Sequence, residues 1–287
     1  MAFSIVTLKA FGDFVIACGS ARAVQAGANR PQVVAGEYVR PLAAALGVES
    51  EVRFIGTQHG APWTDVPAVF DVRKRGLPAA VRSLFELRAI LGQLPPAWNL
   101  VFDHAGPRER LLCSHHPFHS LSKETGNVYL AYRQFFTQQR LTVTPHTIAR
   151  QFVPYNALLV PGARMRHRVL PPAVIEQACH TLRERGCAVT VVLLEGEDIP
   201  LPEKIRPVRL PRSFQNLVAV MRESDLVITA DSLPAHLGEY LQIPQFTFIP
   251  TPKDYMLPQF AYEAKGWTTF DQTPYFSRWL DAALPTL

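Results

Sequence analysis

The chain has 287 residues, 48% hydrophobic and 18% charged, with 25 Pro and 16 Gly. That is the balance of a folded protein, and at roughly 100–200 residues per domain it favours two domains over one large one. Lys and Arg outnumber Asp and Glu by 29 to 24, a net charge of +5, which suits an anionic ligand or attraction to an acidic membrane surface. The dense basic tracts of a nucleic-acid binder are missing, so no nucleic-acid partner is expected. Apolar runs such as residues 42–48 and 188–194 fall far short of the roughly 20 residues that span a bilayer, so no transmembrane helix is expected.

In chain order, Phe3-Ser-Ile-Val-Thr-Leu8 is a β-rich apolar run, Lys9-Ala-Phe-Gly-Asp13 a tight turn, and residues 14–25 a helical stretch. A signal peptide is the alternative for this start, but Asp13 interrupts the apolar region and no basic segment precedes it. Next come a helix over 38–46, a strand over 51–55, a helix over 77–91 and a strand over 99–103, an alternation that signals an α/β layer structure. Residues 106–127, rich in His, Arg, Ser and Gly, read as loops with a helix after them.

The second half is more regular. A short buried strand over 157–160 is broken by Pro161-Gly162. Pro171-Pro172 opens a helix that runs through Arg185 and ends at Gly186. Residues 188–194 are the Val/Leu run of a parallel-sheet strand covered on both faces. A strand over 207–210, a helix over 213–223 capped by Ser213, a strand over 226–229 leading through Asp231-Ser232 into another helix, and a strand over 245–249 complete the pattern. The two β-α-β halves, joined near 144–156, make an α/β pair of Rossmann-like domains with a cleft between them the simplest architecture. Cysteines at 18, 113, 179 and 187 show no C-x-x-C spacing and read as reduced thiols in a cytoplasmic protein.

The first strand-to-helix turn lacks G-x-G-x-x-G, which disfavours a nicotinamide or flavin site. Asp13 there stands where α/β proteins place ligands, as a proton acceptor for a hydroxyl or as a plain helix cap. Asp231, Ser232 and His236 surround a strand end and the start of the next helix, where free N–H groups bind anions; a diphosphate is the obvious guest. The other reading is that Asp231 or Ser232 caps the helix while His236 packs. Cys113, His115, His116 and His119, with Asp103 and His104 upstream, have the composition of a metal site, or else line the cleft and bind acceptor hydroxyls or phosphate. Arg73-Lys74-Arg75 suits acidic lipid, a phosphorylated acceptor or plain solvation.

Three ordered segments carry a resemblance. Asp231-Ser-Leu-Pro-Ala-His-Leu237 resembles the D-S-G-P-x-H-L signature of glycosyltransferase family 9, the lipopolysaccharide heptosyltransferases and their relatives. Phe11-Gly12-Asp13 is similar to the family's G-D turn, and Pro161-Gly-Ala-Arg-Met-Arg-His-Arg-Val-Leu-Pro171 to its P-G-A-x-x-x-x-K-x-W-P segment. The resemblance implies the GT-B fold, two Rossmann-like domains facing each other across a cleft. Residues 1–152 would form the acceptor side and 153–270 the nucleotide-sugar side, with a helix in 271–287 crossing back to the first domain.

It also implies inverting, metal-independent transfer from a nucleotide-sugar, with ADP-heptose a candidate, to a saccharide or glycolipid acceptor. No cofactor is implied beyond that donor substrate. The location would be cytoplasmic, with peripheral contact at the inner membrane face. Asp13 would be the general base beside Gly12; Arg164, Arg166, Arg168, Asp231, Ser232 and His236 would bind the donor, and His115 and His119 the acceptor. Leu233 stands where the family has Gly and Leu170 where it has Trp, and the first half is short. These departures leave a catalytically silent scaffold that binds a nucleotide or carbohydrate as the alternative, and a metal-dependent hydrolase built on the His-rich loop as a third reading.

Overall fold

The computed structural model describes residues 3–8, 10–25, 30–55, 98–103, 116–148 and 153–283, with isolated positions between 78 and 95. The chain divides into two compact units, Met1–Pro145 and His146–Leu287. The first contains β1 (Phe3–Thr7), α1 (Phe11–Ala23), β2 (Gln32–Gly36), α2 (Arg40–Leu46), β3 (Val52–Ile55), β4 (Asn99–Phe102), β5 (Phe118–Ser120) and α3 (Val128–Gln138). Its sheet is parallel, in the order β3-β2-β1-β4-β5. The central strand β1 is buried along its whole length, as an unbroken apolar run at a sheet centre must be. The helix α1 buries Phe14, Val15, Ile16, Ala17 and Cys18. The helix α3 begins where the Asn127 side chain accepts the Tyr129 N–H at 3.0 Å, and it buries Tyr129, Tyr132 and Phe136.

The second unit contains β6 (Asn156–Val160), α4 (Pro172–Glu184), β7 (Ala188–Leu194), β8 (Val208–Leu210), α5 (Phe214–Arg222), β9 (Leu226–Ala230), α6 (Leu233–Tyr240), β10 (Gln245–Ile249), α7 (Gln259–Glu263), β11 (Trp267–Thr269) and α8 (Pro274–Ala283). Its six-stranded sheet is parallel, in the order β11-β10-β9-β6-β7-β8. The two parallel sheets with their helices make the chain an α/β protein. In the second core, Phe246 meets Phe248, Phe276 and Trp279 with ring centroids 4.8–5.0 Å apart, the range of favourable tilted aromatic pairs.

The helix α8 supplies Phe276, Trp279 and Leu280 to that core. It is tied to the end of α4 by Arg185, which donates to Asp281 Oδ1 at 2.6 Å and to Ser277 Oγ at 2.7 Å. The described part of the terminal helix thus packs within the second unit.

The strands expected at 157–160, 188–194, 226–229 and 245–249 are present within a residue of those bounds. Three further strands lie outside the sequence expectations: β2, β5 and β11, each five residues or fewer. The segment around β5 reads as loop in the sequence, because Phe-His-Ser carries no apolar pattern of its own and is drawn into the sheet by pairing with β4. Ser213 precedes α5 but does not cap it: its hydroxyl donates to Gln215 Oε1 at 3.0 Å instead. Most of the helix expected over 77–91 lies outside the described residues, as do Arg73, Lys74 and Arg75. Among the described residues no helix is long and apolar enough to cross a membrane.

The aromatic nest around Phe246 concentrates the second unit's packing, so Phe246→Ala is expected to lower its unfolding free energy by about 3–5 kcal/mol. Chemical denaturation monitored by tryptophan fluorescence checks this; a loss below about 1 kcal/mol would show that the cluster repacks around the vacancy.

Candidate functional site

The order of the second sheet creates a crevice at one point. From β6 the chain builds outward through β7 and β8, then returns to the other side of β6 with β9. Ligands of open α/β sheets bind outside the carboxyl ends of the strands at such a reversal. There β6 runs into Pro161-Gly162 and β9 into Asp231-Ser232, side by side because Val160 pairs with Thr229. The Ser232 hydroxyl donates to the Gly162 carbonyl at 3.0 Å, so it links the two turns rather than capping α6, which carries no side-chain cap. Pro234, the second residue of α6, removes one backbone donor from that end. The N–H groups left there give the crevice a positive dipole end.

The loop of 161–170 brings the basic residues to the same place. Leu170 donates its N–H back to the Pro161 carbonyl at 3.1 Å and is 1% exposed in the core, so this position anchors the loop from below. Arg166–Arg168 forms a short 3-10 turn, with Arg164, Met165, Arg166 and His167 on the outside. Arg168 turns inward: its Nη1 lies 3.1 Å from Asp231 Oδ2 and 3.5 Å from the Asp231 carbonyl oxygen. Burial holds the Asp231 carboxyl above the ordinary carboxylate range, and the positive charges of Arg168 and His167 offset only part of that rise. His236, on the first turn of α6, is 5% exposed. Burial first, and the Arg168 charge second, push its imidazole down to about 4, so near neutral pH it is uncharged and donates through one nitrogen.

Glu197, beyond the end of β7, belongs to this site and does not stand out in the sequence. Its Oε2 accepts the Leu194 N–H at 2.9 Å. A Cβ on Gly162 would lie 2.6 Å from its Oε1, so only a glycine lets the carboxylate lie against the β6 turn. The available signal is positional: a carboxylate just beyond the end of a central parallel strand.

The opposite end of α6 is held as firmly. His146 donates to Glu239 Oε1 at 2.6 Å, and Glu239 Oε2 accepts the Phe260 N–H at 2.8 Å.

The first unit repeats the reversal between β1 and β4. Asp13 sits half-buried in the first turn of α1, after Gly12, and Asp103 half-buried just past β4. Ala10, at the N-cap position, offers no side-chain cap, so an ionised Asp13 is stabilised by the helix end. Phe11 packs edge-on against Tyr38, centroids 5.6 Å apart.

His119 lies within β5, its ring 5.1 Å from that of Phe135 and 6.2 Å from that of Phe3, an aromatic packing position. His104, Cys113 and His115 lie outside the described residues; among those described, no three His, Cys, Asp or Glu side chains gather as a metal site. Cys18, Cys179 and Cys187 are free and buried, and burial pushes all three thiols up.

No protein-family model matches the chain, and no curated protein matches it. Its fold does have solved counterparts. A glycosyltransferase family 9 protein from Veillonella parvula superposes with a TM-score of 0.60 at 13% identity, over 93% of this chain and 85% of that one. The E. coli heptosyltransferase WaaC, solved with ADP, gives 0.61 at 14% identity over 99% and 100%. The E. coli ADP-heptose lipopolysaccharide heptosyltransferase II gives 0.54 at 13% over 99% and 98%. The resemblance to family 9 carried by three short motifs is therefore matched by a likeness of fold along nearly the whole chain.

His236 supplies a pH signature. Its imidazole is near 4 when folded, against an ordinary value of 6.5 in the unfolded chain, so between those values the unfolded chain binds the extra proton and stability falls as pH falls. The expected loss from pH 6.5 to 4 is on the order of 3 kcal/mol. Urea titrations across that range check it, and His236→Gln is expected to remove this component of the slope.

Proposed function

We propose that the chain is a glycosyltransferase of the heptosyltransferase type, which moves a sugar from a nucleotide-sugar to an acceptor hydroxyl with inversion at the anomeric carbon. The observation that carries this reading is the convergence of Arg168, Asp231, Ser232 and the start of α6 at the strand-order reversal of the second sheet. Departure of a nucleoside diphosphate places negative charge on its terminal phosphate. A guanidinium within reach of that charge and the backbone N–H dipoles at the start of α6 stabilise it. Exposed Arg164 and Arg166 add to the attraction. WaaC solved with ADP and with ADP-2-deoxy-2-fluoro heptose supports a nucleoside diphosphate as leaving group and makes ADP-heptose the first donor to try.

In this reading the two units form a GT-B pair, the acceptor on the first and the donor on the second. Asp13 takes the proton of the acceptor hydroxyl as its oxygen bonds to the anomeric carbon and the bond to the phosphate breaks. Transfer of this kind needs no metal, because the basic side chains and N–H groups meet the leaving charge. A saccharide or glycolipid acceptor fits the proposed location, cytoplasmic and at the inner membrane face. Leu233, half-buried at the first position of α6, stands where the family pattern has Gly and adds a side chain beside the start of the helix. It favours, as the second reading, a scaffold that binds a nucleotide or carbohydrate without transfer.

A thermal-shift panel of ADP, GDP, UDP and CDP is expected to show selective stabilisation by one of them, at about 2.7 kcal/mol when the ligand is at about a hundred times its Kd. Asp13→Asn is expected to lower turnover by about 10²–10⁴ while leaving that stabilisation unchanged. Turnover within about threefold of the parent would remove Asp13 from the base role. Ligand binding without donor consumption, in the presence of varied acceptors, would select the silent scaffold.

A further inference from the structure

Arg168, the cation best placed to meet a diphosphate, already has a partner: Asp231, with 3.1 Å between Nη1 and Oδ2. We propose that Asp231 sets the site's selectivity for an intact nucleotide-sugar over the free nucleoside diphosphate, by engaging Arg168 until the hydroxyls of a bound sugar take over the carboxylate. The inference rests on the glycosyltransferase reading and adds to it a role for an interaction within the protein itself.

Both side chains are partly shielded, 39% and 21% exposed, where charges are screened less than in bulk water. The carboxylate therefore offsets much of the guanidinium charge, and a bare diphosphate meets a nearly neutral pair with a second anion beside it. Burial holds the Asp231 carboxyl above the ordinary carboxylate range against the pull of the Arg168 charge, so loss of Arg168 would leave the carboxylate less favoured still. The Asp231 backbone from which the short carboxylate side chain extends is held: its N–H donates to the Phe248 carbonyl at 3.1 Å, and Ser232 beside it is tied to Gly162. Arg168, longer and more exposed, is the member free to turn.

A nucleotide-sugar changes this balance, because its sugar hydroxyls donate hydrogen bonds to the carboxylate and Arg168 swings to the phosphates. After transfer the nucleoside diphosphate left behind has no such hydroxyls at that point. Asp231 then recovers Arg168, and product release is favoured.

The opposite arrangement, in which Asp231 only orients Arg168 for the phosphates, predicts the opposite sign. Removing the carboxylate would then weaken nucleoside diphosphate binding.

The test is calorimetric titration of the full chain with ADP, GDP, UDP and CDP and with ADP-heptose, GDP-mannose, UDP-glucose and CDP-glucose. Asp231→Asn is expected to bind the preferred nucleoside diphosphate about tenfold more tightly and its sugar ester no more tightly than the parent. In an Arg168→Gln background, the same replacement is expected to change nucleoside diphosphate affinity by less than about twofold. Asp231→Ser serves as a second variant, and thermal unfolding verifies that each variant folds. Equal or weaker nucleoside diphosphate binding by both Asp231 variants, or an undiminished gain without Arg168, overturns the inference while the glycosyltransferase reading stands. A parent that binds none of the eight compounds overturns that reading and the inference with it.

Discussion

The parallel pairing of β9 with β6, on the side away from β7, is the contact on which the second unit's candidate site depends. Had β9 continued outward beyond β8, the turns after β6 and β9 would lie several strands apart at roughly 4.8 Å per strand. Gly162 would then have no Ser232 to bind. The reversal instead draws three chain segments to one place: the loop that runs from the Gly162 turn through the basic residues to Leu170, the turn at Ser232, and Glu197 beyond β7. Each comes from a different part of the chain, and the strand order brings them together.

The helix behind this crevice is held at both ends. At the start, Ser232 is tied to Gly162; at the end, Glu239 is bound by His146 and by the Phe260 N–H. In between, Gly238 lies so close to Gln245 that a Cβ would come within 2.7 Å of its Oε1. A helix fixed in this way presents its N–H groups at a set angle, and a ligand spends little binding energy on ordering them. The first unit has its own cluster around Val6, Val34, Ile55 and Leu100. Each unit thus rests on a core of its own.

Much of the second unit is legible in the sequence because its strands are long, apolar and ended by Pro or Gly. Residues 188–194 and 245–249 need no partner to be recognised. β5 and β11, of three residues each, carry no such pattern and are defined only by pairing with β4 and β10.

The site divides in the same way. Asp231, Ser232 and His236 stand together in one motif. The inward turn of Arg168, apart from the exposed Arg164 and Arg166, is a tertiary fact. Ser232 reads in the sequence as a donor to an anion or as a cap, whereas its hydroxyl faces a carbonyl. His119 shares its stretch of sequence with a cluster of potential ligands, but the strand pairing that no local pattern announces puts its ring among aromatics.

The close approach of Glu197 to Gly162 has a consequence for how this sequence can vary. Any side chain at position 162 must displace a carboxylate that is itself held by the Leu194 N–H. Loss or shortening of Glu197 opens the space, so a change at 197 makes a later change at 162 easier to accommodate, whereas a change at 162 alone must first turn the carboxylate away from the Leu194 N–H. The two positions are separated by a whole helix and strand in the chain, yet the tolerance of one depends on the residue at the other.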